Sequence, residues 1–181
     1  MNEIEIIRSQ LAVEQSHAAD IARACAAQFG AAGGPAASDG AATRFREACV
    51  SYLVWVLARF EERDQTLSEL LAARPLGSLA VQQGTSREAL SRLETALAAG
   101  EPQAARAAWR EFARFFDSAW MPRRAALEGA LAGHSSVADW RAIAAIDADS
   151  MLDERHRYAR VLAQLPAGIE LRAAASPERA C

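Results

Sequence analysis

The sequence predicts an all-α protein, an up-and-down four-helix bundle with one short extra helix. Three observations carry that prediction. Apolar residues recur three and four positions apart over long stretches, as on one face of a helix. No stretch alternates apolar and polar residues as a half-buried strand would. The helical stretches are separated by Gly/Pro-rich breaks such as AAGGPAASDG.

The first helix is expected over residues 3 to 29, with Ile4, Ile7, Leu11, Ala18, Ile21 and Cys25 on its stripe. It stops before the glycine- and proline-rich linker. The second is expected over 41 to 73, with Phe45, Cys49, Leu53, Val56, Phe60, Leu67 and Leu71 at helical spacing, ending before Pro75. Its middle, YLVWVLA, is apolar nearly all round, the pattern of a helix with neighbours on more than one face. Residues 75 to 84 read as a loop. Thr85 and Glu88 then form a capping box for a short helix to about Ala98, closed by Gly100.

A long helix should follow from Glu101, with Pro102 tolerated in its first turn and Trp109, Phe112, Phe116 and Trp120 on its stripe; Pro122 should kink or restart it. The last helix is expected from Ser136 to about Leu165, with Trp140, Ile143, Val161 and Leu165 inward. These elements make one domain over residues 1–165, followed by a flexible tail over 166–181.

Composition narrows the function classes. A net charge of −3 on 181 residues gives no field that favours nucleic acid. All 20 basic residues are arginine, read as compositional habit. The longest apolar run is too short to cross a bilayer, and the acidic, amphipathic start does not read as a signal peptide, so neither a membrane nor export is expected. Three widely spaced cysteines do not suggest a secreted disulfide framework or a zinc site. The expectation is a cytoplasmic protein. A homodimer is left open and a protein partner unspecified.

No nucleophile–base arrangement, phosphate loop or catalytic acid pair has its required context, so no enzyme is indicated. Trp55, Trp109, Trp120 and Trp140 read as core before they read as a ligand cavity. Cys25 and Cys49 should lie at similar heights across the first hairpin. They read as small buried core residues, with a redox-switchable disulfide as the geometric alternative.

The informative feature is EQSH at residues 14 to 17. Glu14 interrupts the apolar stripe of the first helix, with His17 one turn on. The last helix does the same with Asp147, Ser150 and Glu154. At 1.5 Å rise per residue, Glu14 and His17, Glu61 and Asp64, and Glu154 and His156 fall at similar heights in alternating helices.

A buried carboxylate needs a partner, a proton or a metal. One reading is therefore a metal site for iron, using Glu14, His17, Glu61, Glu154 and His156, with Glu14-x-x-His17 and Asp153-x-x-His156 at the spacing found in di-iron bundles. The other is a buried polar network in which His17, Arg155 or Tyr158 satisfies the two glutamates.

Two stretches resemble the hemerythrin-like (HHE cation-binding) family of helical bundles. LARFEERDQTL, residues 57 to 67, is similar to the second-helix pattern His-x-x-x-Glu-Glu. ALAAGEPQAARAAWREFARFFDSAWMPRRAAL, residues 96 to 127, is similar to the run into the final helix. With the first helix, the likeness covers about residues 3 to 130, and it implies a four-helix bundle built around a non-haem di-iron site.

Most ligands that the resemblance implies are absent. Leu57 stands at the second-helix histidine position, and Ala119 and Arg123 stand at the final-helix ligand positions. Only His17 and Glu61 carry over, and the chain's three histidines are too few for the family's histidine-rich set. The resemblance thus implies a non-enzymatic binding or regulatory protein whose di-iron site is lost or altered. An iron-binding or iron-sensing protein is the alternative.

Overall fold

The computed structural model describes residues 2–30, 40–71, 77–117, 136–144, 148–166 and 171. These residues form six helices and no strand: α1 (Glu3–Gly30), α2 (Gly40–Leu71), α3 (Gly77–Ala98), α4 (Pro102–Phe115), α5 (Val137–Ala144) and α6 (Ala148–Leu162). The all-helical class expected from the periodicity is what the chain adopts.

Local chemistry sets several of the helix ends. At the start of α1, Glu5 N–H donates to Asn2 Oδ1 (2.9 Å) and Asn2 N–H donates to Glu5 Oε2 (2.8 Å), a reciprocal capping box. Ser136 and Asp139 do the same before α5, where Ser136 N–H donates to Asp139 Oδ2 (2.8 Å) and Asp139 N–H to Ser136 Oγ (3.2 Å). Both hydrogen bonds from Ser136 hold the exposed Asp139 carboxyl below its ordinary value.

Between α3 and α4, Gly100 takes a φ of 67°. Glu101 N–H closes on Ala96 O (2.9 Å) and Gly100 N–H on Leu97 O (3.1 Å), a Schellman turn that satisfies carbonyls the helix end would otherwise leave bare. Pro102 then opens α4, where a missing N–H costs nothing.

One expected loop is a helix. The segment 75–84, read as a connection because of Pro75 and its glycines, is helical from Gly77, so α3 has 22 residues and is not a short appendage. A single glycine inside a helix costs only about 1 kcal/mol relative to alanine, which packing easily overrides. The last expected helix is described as α5 and α6, with 145–147 outside the described residues. Trp120, Pro122 and Asp147 also lie outside them, as do the side chains of Asp64, Leu67, Leu71, Ile143 and Ser150 and most of 166–181, with Cys181. Leu171 packs against the core.

The helices α1 and α2 pack on each other; α2 packs on α3, α3 on α4 and α4 on α1, while α5 and α6 each pack on both α1 and α2. Helix α2 is therefore covered on two faces, and its registry shows it. Tyr52 and Glu61 are nine residues apart, which at about 100° per residue places them on opposite sides. Tyr52 contacts Glu154 of α6 and Glu61 contacts Arg87 of α3. This is why YLVWVLA is apolar nearly all round.

The main core joins Ile21, Cys25 and Phe29 of α1 to Phe45, Leu53 and Phe60 of α2, Leu90 and Leu93 of α3, Trp109 and Phe112 of α4 and Phe116 that caps it. Phe29, Trp109, Phe112 and Phe116 form a chain of ring contacts with centroids 5.3–5.5 Å apart. Full burial of each such side chain contributes about 1.5–3 kcal/mol.

A Cβ added at Gly100 would meet no atom within 4 Å, so substitution there tests the backbone alone. Gly100→Ala is expected to lower unfolding free energy by about 1–2 kcal/mol, the cost of a left-handed L-residue, with an unchanged dependence on denaturant concentration in urea unfolding.

Candidate functional site: a buried charge network between α1, α2 and α6

Glu14, His17 and Asp20 of α1, Arg63 of α2 and Glu154 of α6 are all buried. Four of them lie in two neighbouring hydrogen-bonded clusters, one around each glutamate. Glu14 Oε2 accepts from an Arg63 terminal N–H (2.6 Å), and Glu14 Oε1 accepts from Arg59 Nε (3.1 Å). Glu154 Oε1 accepts from His17 Nδ1 (2.8 Å) and from the Tyr52 hydroxyl (2.8 Å). With a carboxylate as acceptor, the Nδ1 position of His17 carries the proton. The other face of the imidazole is closed by Tyr158, stacked at 3.7 Å and 8°.

Helical registry makes this possible. On α2, Tyr52, Arg59 and Arg63 are spaced seven and four residues apart, within about 40° of one line. On α6, Glu154 and Tyr158 stand one turn apart, so one binds the His17 nitrogen while the other covers its ring. Trp55 holds the rim: the Arg59 guanidinium lies 5.0 Å and that of Arg157 5.1 Å from its ring centre. Such cation–π contacts fix an arginine without neutralising it.

Of the five residues singled out as metal ligands, the structure brings His17 and Glu154 into contact at 2.8 Å, sets Glu14 one turn from His17 on α1 and against Arg59 and Arg63, and separates the other two. Glu61 faces away, on the side of α2 that meets α3, and pairs with Arg87. His156 is exposed; two residues from Glu154 on a helix is about 200° away. Asp153 pairs with Arg157 at 3.0 Å. Among the described residues no group of three or more His, Cys, Asp and Glu is placed to hold a metal ion.

The described residues do not fit a di-iron centre. His17 and Glu61, the two positions carried over from the family pattern, lie on different interfaces. Glu14 has both oxygens engaged by guanidinium groups, whose positive charge opposes a divalent cation at the same carboxylate.

Of the partners expected for a polar network, His17 does satisfy Glu154, Tyr158 stacks instead of hydrogen bonding, and Arg155 is exposed. Tyr52, Arg59 and Arg63 were not expected. Their signal was the face they share on α2, with Arg63 one turn beyond Phe60 and Arg59 at the edge of the apolar stripe. Beyond the network, Asp20 Oδ2 and the Tyr158 hydroxyl are buried without a hydrogen-bond partner among the described residues. Cys25 and Cys49 are free and buried.

No protein-family model, no curated protein and no solved structure matches the chain.

Burial first, then the negative charge of Glu154, pushes the Tyr52 phenol far above its ordinary value of 10.0. Burial and the nearby Cys49 thiol raise the Cys25 thiol above 9.0. Each group keeps its proton in the folded chain at a pH where the unfolded chain releases it. The stabilisation they provide is complete below their ordinary values and is lost as pH rises beyond them. Unfolding free energy measured in urea is therefore expected to fall from about pH 9 upward, by up to about 1.4 kcal/mol per unit for each group. Tyr52→Phe should make that fall shallower and should lower stability near neutrality by about 2 kcal/mol, the value of a hydrogen bond to a charged acceptor.

Proposed function

We propose that the chain is a non-enzymatic binding or regulatory protein on an up-and-down bundle of hemerythrin-like ancestry, in which an internal ion-pair network stands in place of a di-iron site. The bundle in this reading is the ring α1, α2, α3 and α4, each helix packed on the next and α4 on α1, with α5 and α6 docked on the outside of the α1–α2 pair. The long α3 supports it, because it supplies a full fourth wall where the sequence offered only a short segment.

One observation carries the functional part. Two buried carboxylates, Glu14 and Glu154, are matched by two guanidinium groups, an imidazole and a phenol at 2.6–3.1 Å. The charges cancel within the protein, and both Glu14 oxygens and Glu154 Oε1 are already committed to protein donors. A network satisfied in this way fixes the register of α1, α2 and α6 against one another. It leaves binding to the surface and to the open ends of the bundle.

Metal analysis and urea unfolding of untagged protein prepared without chelators test this reading. The expected result is sub-stoichiometric iron, before and after anaerobic incubation with ferrous salt. A loss of about 3–5 kcal/mol in Arg63→Met is also expected, because Glu14 would keep its buried charge and lose its main partner. Stoichiometric iron that disappears in His17→Ala would replace the reading with that of an iron protein.

A further inference from the structure

Along the outer seam of α2 and α6, the first half of α2 and the last half of α6 enclose a groove of ≈ 380 Å³. Arg44 and Glu47 reach it from α2, Arg157 and Arg160 from α6, and Tyr52 lies in its wall. The groove therefore sits directly outside the Glu154 cluster, because the Tyr52 hydroxyl donates to Glu154 Oε1 (2.8 Å). Three guanidinium groups against one carboxylate leave a local excess of positive charge, in a chain whose net charge is −3.

Across three other seams an arginine is met by a carboxylate: Arg63 by Glu14 between α1 and α2, Arg87 by Glu61 between α2 and α3, and Arg92 by Glu111 between α3 and α4. Between α2 and α6 cation lines the same groove as cation. Arg44 and Arg160 have no carboxylate partner among the described residues, and Glu47 is ion-paired to neither. The third, Arg157, is held from two sides: its Nε donates to Asp153 Oδ2 (3.0 Å), and its guanidinium lies 5.1 Å from the Trp55 ring centre. Like charges gathered on one groove repel, and an anion between them turns that repulsion into attraction. Guanidinium is the cation suited to oxyanions, since its paired N–H groups match carboxylate and phosphate. The volume is at the small end for ligand sites, which suits a metabolite-sized molecule.

We propose that this groove binds a small organic dianion, a phosphate monoester or a dicarboxylate, through Arg44, Arg157 and Arg160. The two share what the groove selects: two negative charges on oxygen, in a molecule of metabolite size. Bound there, the dianion bridges α2 and α6 and attracts both sides of their seam. The ligand thereby strengthens the docking of α6 over the Glu154 cluster beneath. The proposal rests on the chain being a binding protein and supplies the class of ligand.

Calorimetric titration of the full chain at low ionic strength tests it, with glycerol 3-phosphate, succinate, propionate and glycerol as probes. At least one of the two dianions is expected to bind saturably at one site per chain, and the tighter of them assigns the anion to phosphate or dicarboxylate. Propionate, with one charge, and glycerol, with none, should bind about tenfold or more weakly, the loss of a hydrogen bond to a charged group. The double variant Arg44→Gln/Arg160→Gln should weaken the tighter dianion by about tenfold or more. Both side chains are exposed, so this variant is expected to fold. Arg110→Gln/Arg155→Gln removes the same charge from exposed positions outside the groove and should leave binding unchanged. The dianion should also shift the urea unfolding midpoint upward, and the groove variant should lose that shift.

Failure of both dianions to bind saturably would overturn the proposal, as would binding that the groove variant leaves unchanged. So would equal weakening by the two double variants, or propionate binding as tightly as the dianions. None of these outcomes bears on the iron content of the same preparation, so the groove and the buried network stand or fall separately.

Discussion

The arrangement depends on the neutralisation of Glu14 by Arg59 and Arg63. A carboxylate placed in the middle of an apolar helix face costs several kcal/mol unless opposite charge and hydrogen bonds reach it. Here both come from the neighbouring helix, with Arg63 itself only 2% exposed at its side chain. Neither partner tolerates the other's absence. The pair therefore fixes how α1 lies on α2, and that relation positions Tyr52 and His17 to receive Glu154. The remaining helices dock on a pair whose register is already settled.

The central pair is asymmetric in what its two sides ask for. Toward α3 and α4 it presents Ile21, Cys25, Phe29, Phe45 and Leu53, and packing is a matter of apolar volume. Toward α6 it presents charge and aromatic edges, and beside the buried Tyr158 and Val161 packing must also match donors to acceptors. Apolar contact is permissive about small rotations and shifts, whereas a network of hydrogen bonds at 2.6–3.1 Å is not. The first side supplies most of the stabilisation, and the second selects a single arrangement.

Much of the fold was legible because the signals were local. Helix α1 starts and ends within a residue or two of where its stripe and its glycine-rich stop placed it, and Gly100 ends α3 for the conformational reason its identity suggests. The start of α3 was misread because Pro75 lies before the helix and a glycine inside one is only a weak local argument against it, about 1 kcal/mol relative to alanine.

At the site, Glu14, His17 and Glu154 could be found because each breaks an apolar stripe. Their partners could not be ranked, since registry gives heights along a helix and leaves open which face meets which neighbour. Glu61 shows the difference: its height was right and its direction, opposite Tyr52 on the same helix, took it to Arg87 instead. Arg59 and Arg63 were passed over because arginine on a helix is ordinarily a surface residue.

The contacts of the network also differ in what they cost to close. Glu14 meets Arg59 and Arg63 across 45 and 49 residues, and the α3–α4 turn is closed within a few, but His17 meets Glu154 across 137. Closing a longer loop costs more conformational entropy, so the near pairs form at lower cost than the far one. Until α6 arrives, the imidazole of His17 and the phenol of Tyr52 remain open to water. Docking of the last helix removes that water and supplies Glu154 in the same step. The most distant contact in the network is thus the one whose loop costs most to close, by about 1 kcal/mol over the Glu14 pairs.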